Sequence, residues 1–149
     1  MVNPFDDIYF MKKAFQEAEI AFKKGEIPVG AVIVIDNKII ARAHNLTETL
    51  TDVTAHAEMQ AITAAANFLG GKYLQNCTLY VTLEPCQMCA GALYWTQISN
   101  IVYGAKDEHR GYGVLGTKLH PKTKIKGGVL AEESSQLMKR FFIEKRNLN

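Results

Sequence analysis

His56-Ala57-Glu58 and, further along, Pro85-Cys86-Gln87-Met88-Cys89 constrain this chain more than any other feature. One imidazole and two thiols can close on a zinc ion, which takes nitrogen and sulfur donors tetrahedrally. A site that keeps the fourth position for water is a catalytic one. A fold that uses these residues must therefore bring position 56 against positions 86 and 89. Cys86 and Cys89 are three apart, so a helix puts both on one face. Pro85 stands where a helix can begin without the proline N–H. In the first turn, unpaired N–H groups and the positive dipole end favour thiolate over thiol. A second helical pattern opens at Thr54, the expected N-cap. Ala57 instead of Glu at the third helical position leaves it without a full capping box. Two helix N-termini facing each other would join His56, Cys86 and Cys89.

Three protein ligands and a water need a proton carrier. Bound zinc lowers the pKa of its water to about 7, which makes a hydroxide available at neutral pH. Glu58, two residues from the imidazole, is placed to take the water's proton and pass it to a bound substrate. It is therefore assigned as acid/base and not as a fourth ligand. A lone Cys-x-x-Cys would be a weak signal, since redox pairs and structural zinc sites share it. A structural site would need Cys77 as its fourth ligand. Cys77 precedes the apolar run 78–83 and reads as a buried core residue.

At 149 residues the expectation is one domain, 1–149, with a sizeable core. No apolar run reaches the roughly 18 residues of a membrane span. The start, Met1 to Asp7, lacks the basic and apolar regions of a signal peptide. Three cysteines, two of them in a metal motif, make no disulfide framework and point to a reducing cytoplasm. The net charge is only +2 but unevenly spread. Residues 1–105 carry 7 Lys/Arg and 10 Asp/Glu, whereas residues 106–149 carry 10 and 5. The excess lies in Lys106, Arg110, Lys118, Lys122, Lys124 and Lys126, and again in Lys139, Arg140, Lys145 and Arg146. Such asymmetry suits a polyanionic partner, although a solvated lysine-rich face gives the same pattern.

Apolar spacing predicts helices over 6–24, 54–68, 86–96 and 131–146, the last with Leu137, Phe141 and Phe142 inward. It predicts strands over 29–35, 39–44, 78–83 and 98–103, the first two forming a hairpin about a turn at 36–38. A Gly- and Lys-rich stretch fills 104–128. Strands then alternate with helices, so the sheet should be mixed and lie between helical layers. Gly111-Tyr112-Gly113-Val114-Leu115-Gly116 matches a dinucleotide fingerprint. That fingerprint must follow a strand and open a helix. Here Thr117 to Pro121 follows, a poor helix start, so the segment reads as a flexible loop and no dinucleotide is expected. His109 and His120 lie in the same stretch and read as solvated or close to a nucleic acid.

The motifs resemble the cytidine deaminase-like superfamily and, within it, the bacterial tRNA-specific adenosine deaminases. The residues that carry the likeness include Gly25 to Val32, Ala43-His44-Asn45, Thr54 to Glu58, Leu79 to Cys86, Met88 to Ala92, Tyr103 to Asp107 and Phe141-Phe142. The resemblance implies a three-layer α/β/α fold with a central mixed five-stranded sheet. It implies one zinc per chain on His56, Cys86 and Cys89, with Glu58 catalytic. Asn45 would hydrogen-bond the base, with Val29, Ala57 and Pro85 in the substrate pocket and Asp107 in a loop that contacts the substrate strand. It also implies a homodimer that acts on the anticodon stem-loop of tRNA and converts the wobble adenosine to inosine. The chain departs from the family pattern at 108–113, and Leu93-Tyr94-Trp95 resembles the guanine deaminases.

A zinc-dependent deaminase of a free nucleobase or nucleoside, of guanine or cytosine type, is the alternative activity. It needs no polyanion-binding surface, and the basic 106–126 segment favours tRNA. A non-catalytic zinc-stabilised binding module is a third possibility. Glu58 opposes it, because a structural site has no use for a free carboxylate beside the metal.

Overall fold

Asp36 and Asn37 turn the chain so that Gly30–Ile35 (β1) and Lys38–His44 (β2) pair antiparallel. Both turn residues have positive φ, 49° and 62°. A tight two-residue hairpin needs that conformation, and short Asp and Asn side chains tolerate it. The computed structural model describes residues 3–147. Ahead of the hairpin lies Asp7–Lys23 (α1), capped by Asp6, whose carboxylate accepts the Tyr9 N–H at 2.8 Å. After it come Ala57–Leu69 (α2), Thr78–Leu83 (β3), Gln87–Thr96 (α3), Asn100–Ala105 (β4), Tyr112–Leu115 (α4), Lys124–Lys126 (β5) and Ala131–Asn147 (α5).

The strands form one mixed sheet in the order β2-β1-β3-β4-β5. β1 runs antiparallel to β2 and β3, while β3, β4 and β5 are parallel. Successive side chains on a strand face opposite ways. Val32, Val34, Tyr80 and Val102 therefore meet Phe10, Met11 and Ala14 of α1. Ala31, Ile33, Leu79, Val81 and Ile101 meet the other helical layer, Ala57, Ala61 and Ala65 of α2 and Leu93 of α3. The alanines recur every four residues, on one stripe of α2. α5 joins the α1 side, where Phe22 and Phe141 pack edge-on at 6.0 Å. Each fully buried side chain such as Met11, Ile33 or Leu79 contributes roughly 1.5–3 kcal/mol. This is the three-layer architecture with a mixed five-stranded sheet expected from the sequence.

Four details differ from expectation. α2 begins at Ala57, not Thr54, and its N-cap is His56. Asp52 accepts both the N–H and the hydroxyl of Thr54, at 2.8 and 2.7 Å, so Thr54 is committed to the preceding turn. The stretch read as a flexible loop holds α4 and the short edge strand β5. The strand read over 98–103 lies two residues later. Finally, Phe142 is not inward. Ser134, Leu137 and Phe141 form the buried stripe of α5, and Phe142, one residue round the helix, is 44 % exposed.

Candidate active site

α2 and α3 present their N-termini to each other, and the N-cap residues are His56 and Cys86. An N-cap side chain ordinarily accepts a hydrogen bond from its own helix. Neither of these does. Their polar atoms turn across the gap instead. His56 Nδ1 lies 3.7 Å from Cys86 Sγ and 3.6 Å from Cys89 Sγ, and the three candidate donor atoms all lie within 4.8 Å of one another. Zinc bond lengths of about 2.0 Å to nitrogen and 2.3 Å to sulfur put tetrahedral neighbours about 3.6 Å apart. The spacing and the donor chemistry both fit one zinc ion. Cys86 is half-buried at the end of the loop leaving β3, and Cys89 is fully buried in the first turn of α3. Cys77, also fully buried, belongs to the core between β3 and the α2–α3 layer.

Glu58 sits in the first turn of α2 with only 4 % of its surface exposed. Burial pushes its carboxyl up to about 7; the Cys86 sulfur adds to the rise, and its own backbone N–H and His56 oppose it. The Cys86 thiol is drawn down to about 4, first by a hydrogen bond from Cys89 and, against burial, by His56. The same contact with Cys86, reinforced by burial, raises Cys89. The hydrogen bond to Cys86 also raises His56. The cluster thus holds one ready thiolate beside a carboxyl poised near neutrality, the range a general acid/base requires.

A pocket of about 1190 Å³ opens over the cluster, lined by His56, Glu58 and Cys86. Val29, Asn45, Ala57 and Asp107 of the expected substrate residues also line it. Asn45 is 5 % exposed, and its side-chain amide donates to Thr47 at 3.3 Å. Pro85 does not line the pocket; it is buried, and its carbonyl accepts the Tyr112 N–H. Asp107 turns one carboxylate oxygen back on its own loop, accepting from the N–H of His109 and Arg110 at 3.1 and 2.9 Å. His109 is on the pocket wall, whereas His120 is remote, against Tyr94. Tyr112 packs on Tyr103 in the core, away from the pocket lining.

Sequence reasoning missed the wall that α5 supplies through Met138, Phe142 and Ile143. It also missed two buried carboxylates, Glu26 and Glu84. Glu26 accepts the N–H of Glu48 and Thr49 and the Thr49 hydroxyl, tying down the loop after Asn45. A lone glutamate beside proline and isoleucine in a short loop was the only signal for it. Of the basic residues, Lys106, Arg110, Lys139 and Arg146 line the pocket. Lys126 instead pairs with Asp7 on the α1 side.

Residues 5–105 match the zinc-binding region of the cytidine and deoxycytidylate deaminases. The tRNA-specific adenosine deaminase of Aquifex aeolicus (strain VF5) is 47 % identical over 146 residues, covering 93 % of this chain and 95 % of that protein. A structure solved in studies of A-to-I editing by tRNA:A34 deaminases at the wobble position superposes with a TM-score of 0.81 at 39 % identity. It covers 87 % of this chain and 98 % of the other. The guanine deaminase of Bacillus subtilis is 44 % identical, but with a TM-score of 0.62 over 65 % of this chain and 62 % of that one.

Proposed function

We propose that this chain, which belongs to the cytidine and deoxycytidylate deaminase zinc-binding family, hydrolyses the wobble adenosine of a tRNA anticodon to inosine. The observation that carries the reading is the near end-to-end match to tRNA-specific adenosine deaminases. The pocket over the His56, Cys86 and Cys89 cluster supports it. The match to guanine deaminase covers less of either chain and superposes less well, so a free-base activity is the weaker reading. Incubation of the protein with total tRNA, and separately with free bases and nucleosides, tests it. Inosine in tRNA is expected. Ammonia from guanine or cytosine without inosine in tRNA would replace this reading with the second.

His56, Cys86 and Cys89 would hold zinc. Zinc supplies a Lewis acid and, at neutral pH, a hydroxide nucleophile. Glu58 holds the proton taken from water and delivers it to the ring nitrogen of the base, then assists departure of ammonia. Its burial keeps the carboxyl near neutral pH, so one group can both accept and release. Asn45 offers its side-chain amide to the base edge, and Val29 and Ala57 pack against the ring. An anticodon-loop base is already unpaired, so its extrusion costs less than from a duplex. A tRNA substrate also implies a cytoplasmic location. A homodimer completes the reading, supported by a groove of about 620 Å³ on the α2–α3 side, where Tyr73 and Trp95 stand exposed.

Two expected results follow from these roles. A site built to hydrogen-bond a substrate group discriminates by about 10⁴-fold against an analogue that lacks it. Asn45→Ala is therefore expected to cut kcat/KM severely while shifting Tm little. Near-wild-type kinetics would remove Asn45 from base recognition. Charge neutralisation at Lys106, Arg110, Lys139 and Arg146 is expected to weaken tRNA binding and flatten its dependence on salt, because each phosphate contact releases counterions. A slope of log affinity against log salt equal to that of the wild type would place the RNA elsewhere. Neutralising Lys126 should do less, since Asp7 already engages it.

A further inference from the structure

Glu84 is the last residue before Pro85 and Cys86, and its side chain is 6 % exposed. Among the described residues it makes no ion pair. Its carboxylate is satisfied by backbone. Oε1 accepts the Asp107 N–H at 2.9 Å, and Oε2 accepts the Gly113 N–H at 3.2 Å. These two amides bracket the turn that carries residues 107–110 along the pocket. Backbone contacts tie the same turn: Gly111 N–H to the Asp107 carbonyl, Tyr112 N–H to the Pro85 carbonyl, and a bridge between Cys86 and Gly111. Glu84 alone among these partners grips both ends.

The glycines of the turn fit this arrangement. A Cβ on Gly111 would come within 2.5 Å of the Glu84 carboxyl carbon and Oε1, and equally close to the Asp107 carbonyl oxygen. A Cβ on Gly113 would stand 3.1 Å from Glu84 Oε2 and, outside its chain neighbours and its own helix backbone, within 4 Å of no other atom. Two glycines of the Gly-x-Gly-x-x-Gly run are thus accounted for by a buried carboxylate that needs close approach to backbone. That is the same physical demand a phosphate makes, met here from inside the protein.

We propose that Glu84 is a positioning residue: it sets the height of the 105–110 wall above the His56, Cys86 and Cys89 cluster, and with it the fit of the substrate strand. The kinetic arm of the test rests on the proposed RNA activity. The structural arm does not. Glu84→Gln keeps the shape and one acceptor but loses the second. Hydrogen exchange at the Asp107 and Gly113 amides is expected to accelerate by about tenfold or more, the size of one charge-assisted hydrogen bond. KM for the anticodon stem-loop should rise by a similar factor and by more than kcat falls, with zinc still at one equivalent. Gly113→Ala should act in the same direction in the wild-type background and have no added effect in Glu84→Ala, because the atom it crowds is gone. Unchanged exchange in Glu84→Gln would overturn the proposal, as would an equal effect of Gly113→Ala in both backgrounds. Loss of zinc in Glu84→Gln would overturn it too, by making Glu84 part of the metal framework. Altered exchange in the variant together with no inosine formed in any tRNA by the wild-type protein would uphold the positioning role and reject the RNA reading.

Discussion

Glu58→Ala is expected to keep one equivalent of zinc and the wild-type fold while losing turnover by about 10⁴-fold, the upper end for a general acid–base group. The upper end applies because, in the proposed mechanism, one carboxyl would serve successive transfers, from water, to the ring and to the leaving ammonia. The fold should survive because the side chain makes no structural ion pair among the described residues. In the zinc-stripped protein the variant should even gain. Burial raises the Glu58 carboxyl from its ordinary 4.5 to about 7, so the folded state binds the proton more tightly than the unfolded one. Wild-type stability relative to the variant therefore falls as pH rises from 4.5 to about 7 and is level above that. Elemental analysis, inosine formation and denaturant unfolding across that range check the three parts. Zinc lost with Glu58 would make it a ligand and its assigned role wrong.

What could be read from the chain divides along physical lines. The strand at 78–83 was legible as a short continuous apolar run, its four central residues buried, and the helix after Pro85 from the proline and the three-residue spacing of the two thiols. The start of α2 was not. Thr54 has the chemistry of a cap, but Asp52 two residues earlier takes its N–H and hydroxyl. Competition between neighbouring side chains for one amide leaves no mark in the apolar pattern. β5 is three residues with a single half-buried side chain, Ile125, too short for any alternation to register. The candidate zinc donors and Glu58 share two short motifs, so they could be named from spacing alone. The pocket walls could not. Phe142 and Ile143 line it from a helix far along the chain from Glu58, and the apolar spacing read Phe142 as core. Asp107 was singled out by resemblance, and Glu84, which holds its loop, was not. A glutamate next to Pro-Cys becomes informative only once the amides it accepts from are in place.

Cys86→Ala carries the second large effect: zinc is expected to fall from one equivalent to a trace, and deamination with it. Cys86 is the better test of the two thiols. It is half-buried, whereas Cys89 is fully buried in the first turn of α3, so truncating Cys86 removes a donor with little loss of packing. Loss of a supporting residue behind a metal ligand costs up to about 100-fold in affinity, and loss of one of the three proposed donors should exceed that. Metal binding must also release protons, since thiolates and not thiols are the donors. The Cys86 thiol, held down to about 4, is already ionised at neutral pH. Cys89, raised by its contact with Cys86 and by burial, is not, so its proton must leave, as must any that His56, also raised by Cys86, carries. Zinc affinity of the wild type should therefore fall as pH drops, and the measured heat of zinc binding should depend on the buffer that takes up the proton. Undiminished zinc in purified Cys86→Ala would sink the assignment of all three donors, because the remaining imidazole and thiol could not hold the ion that tightly by themselves.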